Sequence, residues 1–504
     1  MELNNLYDFD KTIFKKDSSF IFYFYLLGRK PWLLFHFFGL IFMKFLQVFK
    51  IITLEKFKEY TFSIFKFFKN KEKVLDKFVE KNKNKFNKFY LQNKREDDVI
   101  CTASPEFLVK ALMKNVNPDA IVIGSKISLE TLKYEDNAKN CKGSEKINRL
   151  KEYFKTDKIS CENAYSDSLS DIYMFDIANN GYMIVNKKPA LYVNKESGLQ
   201  KLPFSFSLKA KYTIKMLRIK HYIKNFLILV PLFFAGHIFE PNLLLKALLG
   251  FVAFCMLSSF VYIVNDLFDI KKDRNHSKKR LRPLASGIIS KTEGVICALF
   301  LLGLFATASF FIKNWIATAV AIVYLLLNFM YSFKLKNVPI LDLFLLSCCY
   351  ILRLLYGAIL FDISISVWLY LVVLCASLFL GTTKRRNEVL TEQKDTREVN
   401  KKYTSGFLNK NQNAFYILTL AFYALWGMEV QTTLATRWNS LLLLLSIPLV
   451  FLIFMRYSFL TEKDTNSGNP VDVIFQDFVI ILLVILYVVV MTLALYVDLS
   501  FIRF

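Results

Sequence analysis

The stretch NDLFDIKKDRNHSKKRLRP, from Asn265 to Pro283, carries Asn265, Asp269 and Asp273 at four-residue intervals. On a helix these fall along one stripe, with Asp266 beside it. Oxygen ligands so arranged hold a divalent cation that keeps several waters, and the cation clamps a diphosphate. Arg274, His276, Lys278, Lys279, Arg280 and Arg282 follow at once and suit the remaining phosphate charge. A solvated loop at a membrane helix end requires no such spacing, so metal–diphosphate binding is expected here.

Further polar clusters punctuate the N-terminal part. Leu6–Thr12, LYDFDKT, reads as an apolar strand ending in Asp8, Asp10 and Thr12. An aspartate at a strand's C-terminal end can act as a nucleophile, with a second two residues on as acid and base. Asp98–Cys101 is another short apolar strand that runs into Thr102, Ala103 and Ser104. Lys142 and Lys146 supply cations before a helix, and Asp167 and Asp171 stand four apart. Strands alternating with helices, each closing on a polar cluster, predict an open α/β sheet with its site at the strand ends.

The chain that must position these clusters has two characters. With 504 residues, 54% hydrophobic and a net charge of +24, it exceeds one soluble domain: a Lys-rich part precedes long apolar runs. From Phe226 onward about nine membrane-length segments are expected, centred near Leu232, Phe254, Leu304, Val323, Leu346, Val373, Leu420, Leu445 and Ile485. Strongly charged loops near Lys272, Lys336, Asp395 and Asp464 alternate with nearly uncharged ones. The Lys/Arg bias puts the charged set, and with it the Asp-rich stripe, in the cytoplasm. Much of the positive charge is thereby membrane topology, and no motif speaks for nucleic acid. The eight cysteines show no metal-ligand spacing, and the polar opening residues form no cleavable signal peptide, so the N-terminal domain is expected in the reducing cytoplasm. Phe20–Ile52, broken by Gly28, Arg29, Lys30 and Pro31, reads as a hydrophobic cap at the membrane interface rather than a spanning hairpin. Lys56–Arg95 reads as amphipathic helices on or near anionic lipid.

The order of the N-terminal motifs resembles the haloacid dehalogenase-like phosphatases, in the branch related to phosphoserine phosphatase. That resemblance implies that Asp8 attacks phosphorus and Asp10 protonates the leaving alcohol. It implies a Mg²⁺ site from Asp8, the Asp10 carbonyl and Asp167, supported by Asp171. Thr102 would bond the phosphoryl group, with Ser104 as substitute, and either Lys146 or Lys142 would neutralise it.

The remainder resembles the UbiA superfamily of intramembrane prenyltransferases, whose first motif NDxxDxxxD is intact as Asn265, Asp266, Asp269 and Asp273. The second motif region, Tyr331 to Arg353, lacks the carboxylate-rich cluster of quinone- and haem-forming relatives. It offers Asp342 with Tyr331, Ser332, Lys334, Lys336 and, inside the next helix, Arg353. A buried membrane Arg calls for an anion. With Arg218, Lys224 and Asn225 before the first span, and Trp368, Lys384, Arg385, Arg386 and Glu388 around the sixth, the pattern resembles the decaprenyl-phosphate phosphoribosyltransferase branch. That implies attack by a polyprenyl phosphate on C1 of phosphoribosyl diphosphate, with Asp266 and Asp269 catalytic through Mg²⁺. The substrate-binding set would be Lys224, Asn225, Arg274, His276, Lys279, Arg280, Arg282, Tyr331, Lys334, Lys336, Asp342 and Arg353.

The expected architecture is thus an α/β haloacid dehalogenase-like domain over 1–195 with a helical cap at 18–95, a linker at 196–211, and an all-α polytopic membrane domain over 212–504. The expected function is phosphoribosyl transfer to a polyprenyl phosphate, with the first domain removing the 5-phosphate. Alternatives are transfer of a polyprenyl group to an aromatic or small acceptor, or a membrane-anchored lipid phosphatase.

Overall fold

The computed structural model describes residues 1–48, 51–136, 138–195, 199–200, 206–274, 279–333, 335–390, 398–432, 434, 437–463, 473 and 477–497. Two compact units emerge, Met1–Tyr212 with Ser286–Ile289, and Thr213–Ala285 with Ser290–Phe504.

In the first unit, strands Glu2–Tyr7 (β1), Val99–Pro105 (β2), Ile121–Ser125 (β3), Ser160–Ser166 (β4) and Ala178–Val185 (β5) run parallel in the order β3-β2-β1-β4-β5. Lys188–Asn194 (β6) and Leu199–Gln200 (β7) extend the sheet antiparallel, carrying it into the segment expected as a linker. Because β1 lies between β2 and β4, the polar residues that follow these strands gather at adjacent strand ends. Cross-strand pairs fix the register. Tyr7 stacks on Tyr165 at 4.5 Å and Tyr165 on Tyr182 at 4.9 Å. Two residues back, Asn163 donates to Asn5 at 3.2 Å and Asn180 to Asn163 at 3.3 Å. A one-residue slip would break both ladders at once and move Asp167 away from Asp8.

The cap is helical, as expected. Asp17 caps Ser18–Arg29 (α1) by accepting the Phe20 N–H, and Leu34–Val48 (α2), Leu54–Ser63 (α3) and Lys71–Asn82 (α4) follow. Phe22, Leu26, Leu33, Phe62, Phe65 and Phe78 pack into one core with Phe14 and Ile100 of the α/β body. The Lys-rich helices therefore turn their apolar faces inward.

The second unit is helical. Seven described helices are long and apolar enough to cross a membrane. They are Pro241–Phe268 (α6), Lys291–Ile312 (α7), Trp315–Phe333 (α8), Leu341–Phe361 (α9), Val367–Leu390 (α10), Arg437–Lys463 (α12) and Phe478–Tyr496 (α13). Ser405–Gln431 (α11) matches them in length but is more polar. The ninth expected segment, centred at Leu232, is not one long helix. It is a 3-10 stretch, Ile219–Leu229, followed by the short helix Val230–Phe234, with Pro231 at the join. This tight stretch lies against α9 because Gly357 has no side chain. A Cβ there would stand 2.0 Å from the Ile228 carbonyl oxygen, a backbone atom that cannot swing aside.

Gly357→Ala should accordingly destabilise the membrane unit by about 1–3 kcal/mol, the usual cost of overpacking. Gly303→Ala, whose Cβ would meet nothing within 4 Å, should leave stability level or slightly raised. Thermal unfolding of both variants in detergent checks this, and an unchanged Gly357→Ala would refute the close approach.

Candidate functional site

Each unit gathers one cluster of chemically capable residues. In the first, Asp8 turns out of β1 with its N–H held by the Tyr165 carbonyl at 2.9 Å. Its carboxylate is buried and meets Lys146 Nζ at 2.6 Å. Lys146 projects from the first turn of helix Ser144–Phe154 (α5) and also lies 3.0 Å from Asp171 Oδ2. Lys142, the other lysine considered, is exposed. Burial pushes the Asp8 carboxyl up to about 8; Lys146 opposes this, while Asp171 and Asp167 add to it. Burial works against the Lys146 charge as well, yet Asp8 and Asp171 hold its amine above the ordinary lysine value. Three carboxylates thus face one ammonium in a dry site, an excess of negative charge.

Asp10 accepts the Ser18 N–H at 2.7 Å and the Ser104 hydroxyl at 2.6 Å. Burial, then Asp17, raises its carboxyl, which suits a group that must hold a proton before giving it away. Ser104 rather than Thr102 touches Asp10; Thr102 is buried and accepts the Ser104 N–H at 3.1 Å. Asp167, partly buried just beyond β4, is also raised, chiefly by burial. Lys58 was invisible in the sequence, one lysine among many. From α3 it reaches the Ala103 carbonyl and Asn140 Oδ1, both at 2.6 Å, and burial brings its amine down to about 8.

In the second unit, α6 carries Asn265 and Asp266 on its last turn, Asp269 caps it, and Asp273 sits on the short helix Ile270–Arg274. The stripe faces two ways. Arg282 Nη1 bridges Asp266 at 2.9 Å and Asp273 at 2.7 Å, and Arg218 also pairs with Asp266. Asn265 accepts the Ser332 hydroxyl at 2.6 Å, and Lys336 lies 3.5 Å from Asp269.

Beside Asn265 opens a cavity of about 220 Å³ lined by Arg218, Lys224, Arg353, Lys384 and Arg385, with Tyr262, Tyr324, Asn328, Tyr331 and Tyr350. Tyr324 and Asn328, legible in the sequence by their helical spacing, join the expected Tyr331 in a polar stripe on the apolar α8. Arg353, almost fully buried in α9, donates to Asn225 Oδ1 at 2.8 Å, the Tyr324 hydroxyl at 3.0 Å and the Cys349 carbonyl at 2.6 Å. All three partners are neutral, and no carboxylate reaches it among the described residues.

Asp342, expected among the substrate-binding residues, is engaged by protein groups and does not line the cavity. It is fully buried, with one oxygen 2.8 Å from Arg385 Nε and the other accepting the Tyr403 hydroxyl at 2.6 Å. Arg385 also pairs with Glu388 at 2.6 Å. Asp342 therefore aims Arg385 at the cavity. Arg274 donates to the Ala285 carbonyl, and neither it nor Lys279 and Arg280 is among the cavity-lining residues. His276 and Lys334 lie outside the described residues.

The haloacid dehalogenase-like hydrolase family matches residues 6–176 and the UbiA prenyltransferase family residues 226–475. A decaprenyl-phosphate phosphoribosyltransferase of Corynebacterium glutamicum is 31% identical over 56% of this chain and 86% of its own length. The chain belongs to the UbiA prenyltransferase family. Its first unit is a haloacid dehalogenase-like hydrolase domain fused ahead of the UbiA domain. A second relative, the decaprenyl-phosphate phosphoribosyltransferase of Mycolicibacterium smegmatis, is 30% identical over 55% of this chain and 89% of its own length. A solved UbiA homolog from Archaeoglobus fulgidus bound to GPP and Mg²⁺ is 17% identical over 56% of this chain and 99% of that one, with a TM-score of 0.44. The fusion is a multi-pass membrane enzyme.

Among the described residues no three His, Cys, Asp or Glu side chains are gathered tightly enough to hold a metal by themselves. In both units a protein cation stands between the carboxylates, Lys146 between Asp8 and Asp171 and Arg282 between Asp266 and Asp273. The donors are oxygens alone, the set a hard divalent cation prefers.

The buried Asp342–Arg385 pair and the part-exposed Asp269–Lys336 pair should separate on mutation. Asp342→Ala should cost about 3 kcal/mol by leaving the buried Arg385 Nε and Tyr403 hydroxyl without their acceptor, although Glu388 still pairs with Arg385, whereas Lys336→Met should change stability by less than ~1 kcal/mol. Thermal unfolding in detergent reads both, and equal effects would contradict the positioning role of Asp342.

Proposed function

We propose that this UbiA enzyme transfers 5-phosphoribose from phosphoribosyl diphosphate to a polyprenyl phosphate, and that its hydrolase domain then removes the 5-phosphate. The observation that carries the transfer reading is Arg353, a buried cation with neutral partners only, in a cavity shared with four further cations. Burying a guanidinium in a membrane helix is costly without an anion, and a lipid phosphate with a sugar phosphate supplies two. A prenyl diphosphate and an aromatic acceptor would leave much of this charge unused. The locked Asp342 leaves the second motif without free carboxylates among the described residues, which also favours phosphoribosyl transfer. The identity to two phosphoribosyltransferases supports the same substrate class.

In the transfer step a lipid phosphate oxygen forms a bond to C1 of the ribose as the C1–O bond to diphosphate breaks, and diphosphate departs with the electron pair. Asn265, Asp266, Asp269 and Asp273 are the residues to hold Mg²⁺, which would neutralise the departing diphosphate. Arg282 and Arg218 are placed to follow that charge; Lys384, Arg385, Lys224 and Arg353 to hold the phosphates. In the hydrolase domain the Asp8 carboxylate attacks phosphorus, Asp10 gives its proton to the ribose oxygen, and water, deprotonated by Asp10, releases phosphate. Lys146 holds charge on the phosphoryl oxygens, and Asp8, Asp167 and Asp171 would share a second Mg²⁺. The loop charges favour a cytoplasmic-membrane enzyme with its N-terminal domain in the cytoplasm.

Ribose-labelled phosphoribosyl diphosphate, polyprenyl phosphate and Mg²⁺ should move label into the organic phase, and both Asp269→Asn and chelation should stop it. Asp8→Asn should keep the labelled lipid but leave it with its 5-phosphate. Transfer only from polyprenyl diphosphate to an aromatic acid would refute the reading, and phosphate release by Asp8→Asn would refute the nucleophile.

A further inference from the structure

The cap carries more exposed apolar surface than a water-facing domain tolerates. Helix α2 is apolar apart from His36, Lys44 and Gln47. Its inner face is fixed: Phe37 and Leu40 join the cap core, and His36 bonds Tyr23 and Ser63 and stacks on Tyr60. Its outer face shows Phe35 at 84% exposed, Phe38 and Phe42 at 60%, and Phe45 at 45%, spaced three and four apart as one stripe. Phe20, Phe24 and Trp32 extend it across α1 and the turn between the helices. A contiguous patch of this kind marks an interaction site, and α2 with its leading turn is too short to span a bilayer.

The charge beside the patch says what covers it. A groove of about 430 Å³ next to Phe20 and Phe24 is lined by Lys16, Lys81 and Lys85 against one carboxylate, Asp17, which caps α1; none of the three lysines forms an ion pair among the described residues, and they outnumber it three to one. Arg29, Lys44 and Lys66 of the same cap are also exposed. Aromatic rings bordered by unpaired lysines complement the anionic headgroup layer of a membrane. A protein partner would need to match bare Phe and uncompensated Lys at once, whereas this chain already lives in a bilayer.

We propose that the outer face of α1 and α2, with the Lys16–Lys81–Lys85 groove, is a docking surface for an anionic lipid bilayer. It seats the cap in the headgroup layer, with the aromatic stripe among the upper acyl carbons. The other side of α1 begins at Ser18 and Ser19, which bond Asp10 and Ser104, so one helix joins the lipid surface to the acid–base residue. Resting on the phosphatase reading, the same surface would admit a phosphomonoester whose lipid tail stays in the membrane.

The test uses the full-length wild-type protein in phosphatidylcholine vesicles with and without phosphatidylglycerol, each carrying a lipid with a photoreactive diazirine near the headgroup. After irradiation, peptides are mapped by mass spectrometry. Adducts on residues 18–48, centred on Phe35, Phe38 and Phe42, are expected. Their yield should rise with phosphatidylglycerol, and Lys81→Gln or Lys85→Gln should lower it by about fivefold each, the ratio for ~1 kcal/mol per surface cation. Adducts confined to the spanning helices would overturn the proposal, as would cap labelling indifferent to anionic lipid. The triple variant Phe35→Ser, Phe38→Ser, Phe42→Ser should lose the cap adducts yet hydrolyse p-nitrophenyl phosphate as the wild type does. Wild-type protein that labels in the cap but hydrolyses no phosphomonoester would sink the phosphatase reading and leave the docking surface standing.

Discussion

The uncompensated charge of Arg353 is the constraint around which the membrane unit is organised. A guanidinium inside a spanning helix must exchange its water for something, and here it finds an amide, a phenol and a backbone carbonyl. Those partners come from three chain segments, the 3-10 stretch, α8 and α9 itself. Asn225 arrives only because the 3-10 stretch runs close over Gly357, and Tyr324 only because α8 turns its polar stripe inward. Neutral partners solvate the cation without cancelling it, so the cavity keeps a net positive potential. Arg385 differs: Asp342 and Glu388 neutralise it and fix its direction. One cation is left to attract an anion and the other is held to orient it.

The same logic runs through the carboxylates. Asp8 and Asp171 share Lys146, and Asp266 and Asp273 share Arg282. Buried carboxylates this close repel each other, and a bridging cation keeps them together. Each bridge is a single side chain serving two anions; Lys146 leaves its carboxylates in excess, whereas Arg218 adds a second cation at Asp266. In the proposed reactions an incoming phosphate would offer Lys146 a further partner, and a diphosphate would do the same for Arg282. Both units thus hold their negative groups in readiness with a cation that substrate can share.

Much of this was legible in the residues. The Asp8–Asp10 pair, the NDxxDxxxD stripe and the lone Arg353 announce themselves because chemistry restricts residue type and spacing at such points. The sheet followed from apolar runs ending in polar clusters. Other features depend on tertiary placement that no local spacing encodes. Ser104 meets Asp10 because α1 brings Ser18 and Ser19 to the same point. Lys58 is indistinguishable by type from its neighbours until α3 folds over β2. The segment at Leu232 has the hydropathy of a span, but Pro231 and the tight contact at Gly357 turn it into a 3-10 stretch. Asp342 is held by Arg385 and Tyr403, which arrive from later in the chain, and no local spacing shows whether a carboxylate is so engaged.

On the proposed reaction sequence, the fusion of two such units has a physical rationale in where a shared intermediate would go. A polyprenyl-linked sugar phosphate does not leave the bilayer, since each buried methylene adds ~0.8 kcal/mol to its retention. A hydrolase dissolved in the cytoplasm would meet it only at the membrane surface, with its reacting phosphate a few ångströms from the headgroup plane. A domain tethered to the transferase is confined to that surface already, so encounter becomes nearly two-dimensional and the effective concentration rises without any new contact. Tethering alone leaves the orientation of the active site free. An apolar outer face on the very helix whose first residues grip Asp10 restricts orientation too, and restricting it is what turns proximity into turnover.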